Sequence, residues 1–202
     1  MVGGFSRLVL ASGNRGKFGE LDALLSPLGV SLAPQSEFGI EGAAETGVTF
    51  VENALLKARH AARQSGLPAL ADDSGLIVAA LDGEPGVHSA RFAGPDASDA
   101  DNVTSLLERL ADVPAERRGA RFHCTLVLLR HAEDPAPVIC EAQWPGAIAR
   151  APAGDNGFGY DPVFRVPGRD CTAAQLDSAV KNRISHRGQA LALLVERLRD
   201  SS

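Results

Sequence analysis

Hydrophobic and polar positions change their period several times along this 202-residue chain, and each period predicts an element. Phe5 to Ala11 carries the unbroken apolar run Leu8-Val9-Leu10, which suits a buried first strand. Phe18, Leu21, Leu24, Leu25 and Leu28 recur at helical spacing, and Pro27 with Gly29 stops that helix. Val30 to Ala33 reads as a short second strand, followed by a loop rich in Gly, Ser and Glu. A helix after Thr49 would bury Phe50, Val51, Ala54, Leu55, Ala58 and Ala62 and end near Gly66-Leu67-Pro68. Leu76 to Leu81 is strand-like, and Asp82 to Gly86 is a turn. Ser98-x-x-Asp101 opens a helix with Val103, Leu106, Leu107 and Leu110 on one face. Arg121 to His131 is a long strand. Pro137 to Arg150 is its partner, joined through Glu133-Asp134-Pro135. Leu191, Leu194, Val195 and Leu198 mark a closing helix.

Composition narrows the class. The length fits one domain, or one with a small lobe, and the chain is 45% hydrophobic and 22% charged, as folded water-soluble proteins are. A net charge of -5 argues against a general nucleic-acid or membrane-surface binder, which would show basic runs. No apolar run reaches the length of a membrane span, and no signal peptide is apparent. Cys124, Cys140 and Cys171 are odd in number and lack CxxC spacing. They read as free, non-catalytic thiols of a cytoplasmic protein, with no zinc site.

Candidate chemistry gathers in polar stretches set between apolar blocks. In Ala71-Asp72-Asp73-Ser74-Gly75-Leu76, neighbouring side chains of an extended segment face opposite ways, so Asp72 and Asp73 need separate reasons to be present. One reading is a turn closed by local hydrogen bonds. The other is a carboxylate that holds a divalent metal or takes a proton from water. Upstream, Thr49-x-x-Glu52 fits a capping box. Glu45 is left unexplained by that cap, and Asn53 and Lys57 lie four apart on one helical face.

Ser12-Gly13-Asn14-Arg15-Gly16-Lys17 links the first strand to the first helix. It is either a phosphate-binding loop that offers N–H groups and side-chain donors, or a plain connection with Ser or Asn as N-cap. It is not a Walker A loop. Arg91 is either a surface residue or a phosphate contact. His123 reads as a structural histidine. Gly154 to Pro162 holds Phe158, Gly159, Tyr160 and Asp161, a loop with special backbone needs or a platform for a base. Lys181-Asn-Arg183-Ile-Ser-His186-Arg187 sets cations at an expected helix start, where they are unfavourable. That placement points to an anionic or acceptor-rich ligand.

Taken together, five blocks resemble the inosine triphosphate pyrophosphatase family: 12–17, 45–54, 71–76, 157–162 and 185–191. Ser12 stands where many members have Thr. The resemblance implies an α/β fold, an elongated mixed β-sheet flanked by helices, in two lobes with a central cleft. It also implies a single nucleoside-triphosphate pyrophosphatase domain over residues 1–202, in a cytoplasmic homodimer with no nucleic-acid or membrane partner. The reaction it implies is Mg²⁺-dependent hydrolysis of non-standard purine nucleoside triphosphates (ITP, dITP, XTP) to the monophosphate and pyrophosphate.

Residue by residue, the resemblance gives the triphosphate to Ser12, Gly13, Asn14, Arg15, Gly16 and Lys17. It gives the metal to Glu45 and Asp73, and the general-base role to Asp73. Ser74, Phe158, Gly159, Tyr160, Asp161, Lys181, His186 and Arg187 match substrate contacts. Glu52, Asn53, Lys57, Asp72 and Arg91 match less certain metal or phosphate positions. A 6-oxo base accepts hydrogen bonds where adenine donates them, so donors on Arg187 and His186 would favour the oxo purines. Two alternatives stay open: a nucleotide-binding module without turnover, and a pyrophosphatase acting on other modified nucleotides.

Overall fold

The computed structural model describes residues 4–200. Its six strands form one mixed sheet in the order β2-β1-β3-β4-β5-β6. They are β1 (Arg7–Leu10), β2 (Ser31–Pro34), β3 (Ala69–Val78), β4 (Gly119–Leu129), β5 (Val138–Ile148) and β6 (Phe164–Arg165). The helices are α1 (Arg15–Leu25), α2 (Phe50–Ser65), α3 (Asp99–Arg109), α4 (Ser178–Ile184) and α5 (His186–Asp200). β1 pairs in parallel with β2 and β3, and β5 pairs antiparallel with β6. The α/β expectation holds. Among the described residues no helix is long and apolar enough to cross a membrane.

The chain divides into two compact units. Unit 1 comprises the residues up to Asp73, Cys124–Ala142 and those from Arg187 onward; unit 2 comprises Ser74–His123 and Gln143–His186. In unit 1 the strands are buried on both faces, and the period of two sorts their side chains. Leu8, Leu10, Leu70, Leu126 and Leu128 pack with Leu21 and Leu25 of α1 and Leu191 and Leu194 of α5. The intervening residues Val9, Ala11, Ala69, Ala71, Val127 and Leu129 pack with Ala54, Ala58, Ala61 and Ala62 of α2. In unit 2 the core is more aromatic: Phe122, Trp144, Tyr160 and Phe164 join Leu76, Leu106, Leu110 and Val163.

Both capping boxes are present. Thr49 accepts from the Glu52 N–H at the start of α2, and Ser98 does the same for Asp101 at α3. Two sequence readings change. The Asp72-Asp73 turn does not form, because β3 runs unbroken from Ala69 to Val78 and charged partners described below hold both carboxylates in the strand. The basic stretch does not open one helix: Ser185 separates α4 from α5, and Lys181 and Arg183 lie in the last turn of α4. Cations are favourable there, so the mismatch inferred for those two residues disappears. Cys124, Cys140 and Cys171 are free thiols.

The connection from β4 to β5 is held by one carboxylate. Asp134 accepts from the Arg130 N–H (3.0 Å), Arg130 Nε and Nη2 (2.9 Å each) and the Ala136 N–H (3.0 Å). The hydrogen bonds from Arg130 outweigh the opposing effect of burial, and the Asp134 carboxyl lies well below the usual range. A depressed folded-state value gives stability that is present above the unfolded value of about 3.9 and lost as pH falls below it. Asp134→Asn is therefore expected to lower resistance to urea at pH 7, with the gap to the parent closing toward pH 3. A gap of equal size at both pH values would show that the charge contributes nothing.

Candidate active site

In unit 1 the site is built on β3. Asp72 is fully buried, and its partners include Arg187 Nε at 2.7 Å, the Lys17 ammonium at 2.7 Å and Cys124 Sγ at 3.4 Å. Arg187 also pairs with Glu20. Burial alone would raise Asp72, but the Arg187 and Lys17 cations override it and hold this carboxyl well below its ordinary value. Burial likewise opposes the charge on Arg187, and Asp72 with Glu20 reverses that effect. Burial and the neighbouring Asp72 charge push the Cys124 thiol up, which keeps it protonated.

Asp73 meets a different partner. Lys57 Nζ lies 2.5 Å from its Oδ1, 3.1 Å from Glu45 Oε1 and 2.9 Å from the Asp72 carbonyl oxygen. The Lys17 ammonium reaches the same carbonyl at 3.4 Å. Burial leaves the Asp73 carboxyl above its ordinary value despite the lowering effect of Lys57 and Lys17. Lys57 itself is raised: its burial is outweighed by Asp73 and Glu45. Two adjacent carboxylates thus titrate in opposite directions because the strand hands them to different neighbours.

Local geometry explains how the partners are placed. Asn14 is the N-cap of α1; its Oδ1 accepts from the Lys17 N–H at 3.0 Å, and Ser12 Oγ accepts from the Asn14 N–H at 3.2 Å. The cap reading of this loop is therefore correct as to Asn14. The first turn of α1 contains no acidic residue, so nothing there offsets an anion brought to Arg15, Gly16 and Lys17. Asn53 is buried and bonds both backbone groups of Gly47, at 2.8 and 3.2 Å, which fixes the loop two residues beyond Glu45. A Cβ at Gly47 would meet Glu52 Cβ at 2.5 Å and Asn53 Oδ1 at 2.8 Å, so this contact requires glycine. Glu52 accepts from the Val48 and Thr49 N–H groups and the Thr49 hydroxyl. The structure thus places Glu52 in the helix cap, whereas Glu45, Lys57 and Asp73 come together.

Unit 2 holds the second group. Asp161 and Lys181 are both buried and form an ion pair. Asp161 also accepts from the Phe158 N–H at 3.0 Å, and the Lys181 ammonium lies 5.0 Å from the Phe158 ring centroid. Gly157 has φ +77°, and a Cβ there would lie 2.1 Å from Asp161 Oδ2. Only glycine lets the loop fold over that carboxylate. Asp99, at the start of α3, accepts from the Gly159 N–H at 2.7 Å. The Tyr160 hydroxyl donates to the Ser89 carbonyl at 2.8 Å, and burial together with Asp99 raises its pKa. His186 is buried and stacks on Phe122 with centroids 4.7 Å apart and planes 9° from parallel. Arg91 is half-buried at the end of a 3₁₀ turn, and Ser74 follows Asp73 in β3.

Two residues escaped the sequence reading. Glu20 carries the second carboxylate on Arg187; its only signal was an acidic residue three positions after Lys17 on the same helix. Asp99 was legible only as a first-turn acid of α3, a place that helix stability alone explains.

A model of the Ham1 family matches residues 8–197. A dITP/XTP pyrophosphatase of Shigella flexneri is 58% identical over 194 residues, 96% of this chain and 98% of that one. A dITP/XTP pyrophosphatase of Yersinia pseudotuberculosis is 58% identical over 195 residues, covering 96% and 99%. Among solved structures, a HAM1 protein from Coxiella burnetii superposes with a TM-score of 0.88 at 53% identity, covering 96% of this chain and 98% of that one. The Staphylococcus aureus Ham1 protein does so with a TM-score of 0.84 at 39% identity, covering 97% and 100%. The matched range spans the segments of both units that carry the two groups described above, and the chain belongs to the Ham1 family.

Proposed function

We propose that the chain hydrolyses non-standard purine nucleoside triphosphates, ITP, dITP and XTP, to the monophosphate and pyrophosphate. The observation that carries this reading is the set around β3: Asp73 and Glu45 on one ammonium, with Lys17 and the anchored Asp72 beside them. Relatives that share 58% of their sequence with this chain and are called dITP/XTP pyrophosphatases support the substrate class. In keeping with the family pattern, we take residues 1–202 as one catalytic domain acting in the cytoplasm as a homodimer.

Phosphoryl transfer needs positioning and charge neutralisation more than covalent chemistry. Lys17 and Lys57 supply two cations for the outgoing pyrophosphate, and the N–H groups at the start of α1 supply donors for phosphate oxygens. Asp73 is the base in this scheme. Burial raises its carboxyl, the direction that makes a carboxylate a better proton acceptor near neutrality. Asp72 is bound too firmly by Arg187 and Lys17 to share that task.

Glu45 and Asp73 fit a divalent cation, because both already reach a single cationic atom, Lys57 Nζ, at 3.1 and 2.5 Å. Among the described residues no group of three or more His, Cys, Asp or Glu could hold a metal. Two carboxylates completed by phosphate oxygens and water is an arrangement that suits Mg²⁺. When bound, Mg²⁺ would neutralise phosphate charge and polarise water.

In unit 2, Phe158 offers a ring for stacking, backed by Lys181 and Asp161, and His186 adds a ring donor for the base. Arg187 donates to the Asp72 and Glu20 carboxylates, and its part in reading the base is proposed from the family pattern alone.

Asp73→Asn is expected to lower turnover by about 10²–10⁴-fold while leaving ITP binding measurable. The fold should survive, since burial already disfavours the charge that this change removes. Turnover within a few-fold of the parent would remove Asp73 from the mechanism. Pyrophosphate release across ITP, dITP, XTP, GTP and ATP, with and without Mg²⁺, tests the function itself. No release from the oxo purines under any metal condition would leave a binding module.

Arg187→Ala removes a partner of a buried carboxylate and is expected to cost stability as well as rate. The decisive readout is therefore the ratio of kcat/KM for ITP to that for ATP, which does not depend on the folded fraction. A base-reading Arg187 makes the ratio fall; an unchanged ratio assigns Arg187 to holding Asp72 alone.

A further inference from the structure

The end of β5, strand β6 and the turn that follows border an open hollow of about 800 Å³ in unit 2. Arg118, Arg150, Arg165 and Arg169 line it, and no carboxylate does. In a chain of net charge -5, four arginines on one concavity are a local reversal of sign. Three of them have a structural reason for their place. Arg118 is buried, and its guanidinium donates to the carbonyls of Leu110 (2.6 Å), Val113 (3.5 Å), Ile148 (3.0 Å) and Ala149 (3.0 Å). These acceptors satisfy hydrogen bonds but carry no full negative charge. Arg165 stands on β6, which approaches β5 so closely that a Cβ on Gly146 would lie 2.6 Å from the Arg165 carbonyl oxygen. Arg169 closes a turn in which its N–H donates to the Val166 carbonyl at 3.2 Å and Gly168 has φ +70°.

The charge balance of the hollow is incomplete. Arg165 pairs with Asp170 at 3.1 Å, but both side chains are exposed, and such pairs are weak. Among the described residues neither Arg150 nor Arg169 has an ion-pair partner. Burial and the nearby Arg150 cation both act against the charge of Arg118. Arg150, Arg165 and Arg169 are exposed at the hollow, and guanidinium forks bind phosphate oxygens bidentately.

We propose that this hollow binds a small phosphate-bearing anion, with inorganic diphosphate the simplest candidate. Several guanidinium groups spread around a concavity match an anion with several charged oxygens better than a single carboxylate. The inference concerns binding alone and does not depend on the reaction proposed above.

The test is an amide-resolved NMR titration of the full chain with inorganic diphosphate and, separately, with AMP, at low and high salt. Shifts at residues 146–150 and 165–169 are expected to saturate, to weaken with salt and to lose about tenfold or more in affinity in R150Q/R169Q. A diphosphate preference identifies free phosphates as the source, and an AMP preference identifies nucleotides. ITP hydrolysis by R150Q/R169Q should match the parent, which separates this site from the catalytic one. Should that variant fail to fold, R150K/R169K keeps the charge, removes the forks and is expected to weaken binding by a smaller factor. Absence of shifts in these segments, or equal affinity in the parent and R150Q/R169Q, would overturn the proposal. Tighter binding of a single-stranded oligonucleotide than of diphosphate would also overturn it, in favour of a nucleic-acid surface.

Discussion

Everything in unit 1 depends on keeping a carboxylate ionised where no water reaches it. Moving an isolated carboxylate into a dry interior costs far more than a protein's whole stability, so the group must be paired or lose its charge. Asp72 meets that requirement with Arg187 and Lys17. Those two cations come from the starts of α5 and α1, the helices that pack Leu191, Leu194, Leu21 and Leu25 onto the leucine face of the sheet. The ion pairs and the hydrophobic layer therefore specify the same register: a shift of either helix would leave a buried charge alone. Removing one partner from such a pair typically costs about 3–5 kcal/mol.

The same constraint divides the work of two neighbouring residues. Successive side chains of a strand face opposite ways, and Asp72 faces the fixed cations. Asp73 meets Lys57, whose ammonium is shared with Glu45 and with the Asp72 carbonyl. Burial with firm neutralisation lowers the one carboxyl, and burial with shared neutralisation raises the other. An acid held low is suited to positioning, and an acid held high is suited to proton transfer. In unit 2, Asp161 is paired with Lys181 and also holds the Phe158 N–H. Its charge thereby orders a glycine-rich loop that would otherwise have many conformations.

Legibility in the sequence followed the range of the forces involved. Leu8-Val9-Leu10, the face of α3 and both capping boxes were readable because they are local: period and cap chemistry lie within a few residues. The Asp72-Asp73 stretch was misread as a possible turn because the propensity of Asp argues against a strand interior. What overrides that propensity is Arg187, 115 positions away in sequence. The break at Ser185 was invisible for the opposite reason. Neither Gly nor Pro marks it, so Lys181 to Arg187 looked like one cationic helix start rather than the end of α4 and the beginning of α5. Glu20 and Asp99 escaped because an acid in the first turns of a helix has a sufficient structural explanation until its long-range partner is seen.

Those partners also explain why a small number of glycines is fixed. At Gly157 an added Cβ would strike Asp161, and at Gly47 it would strike Glu52 and Asn53. In both places the backbone closes over a polar side chain that is itself tied elsewhere, Asp161 to Lys181 and Asn53 to both backbone groups of Gly47. Space for a methyl group could be made only by moving a buried or capped polar group away from its partner. The cost would then be an unsatisfied polar atom as well as a steric clash. The glycines and the buried charges are thus one constraint seen from two sides: electrostatics fixes where the polar atoms sit, and sterics then decides which residues can pass over them.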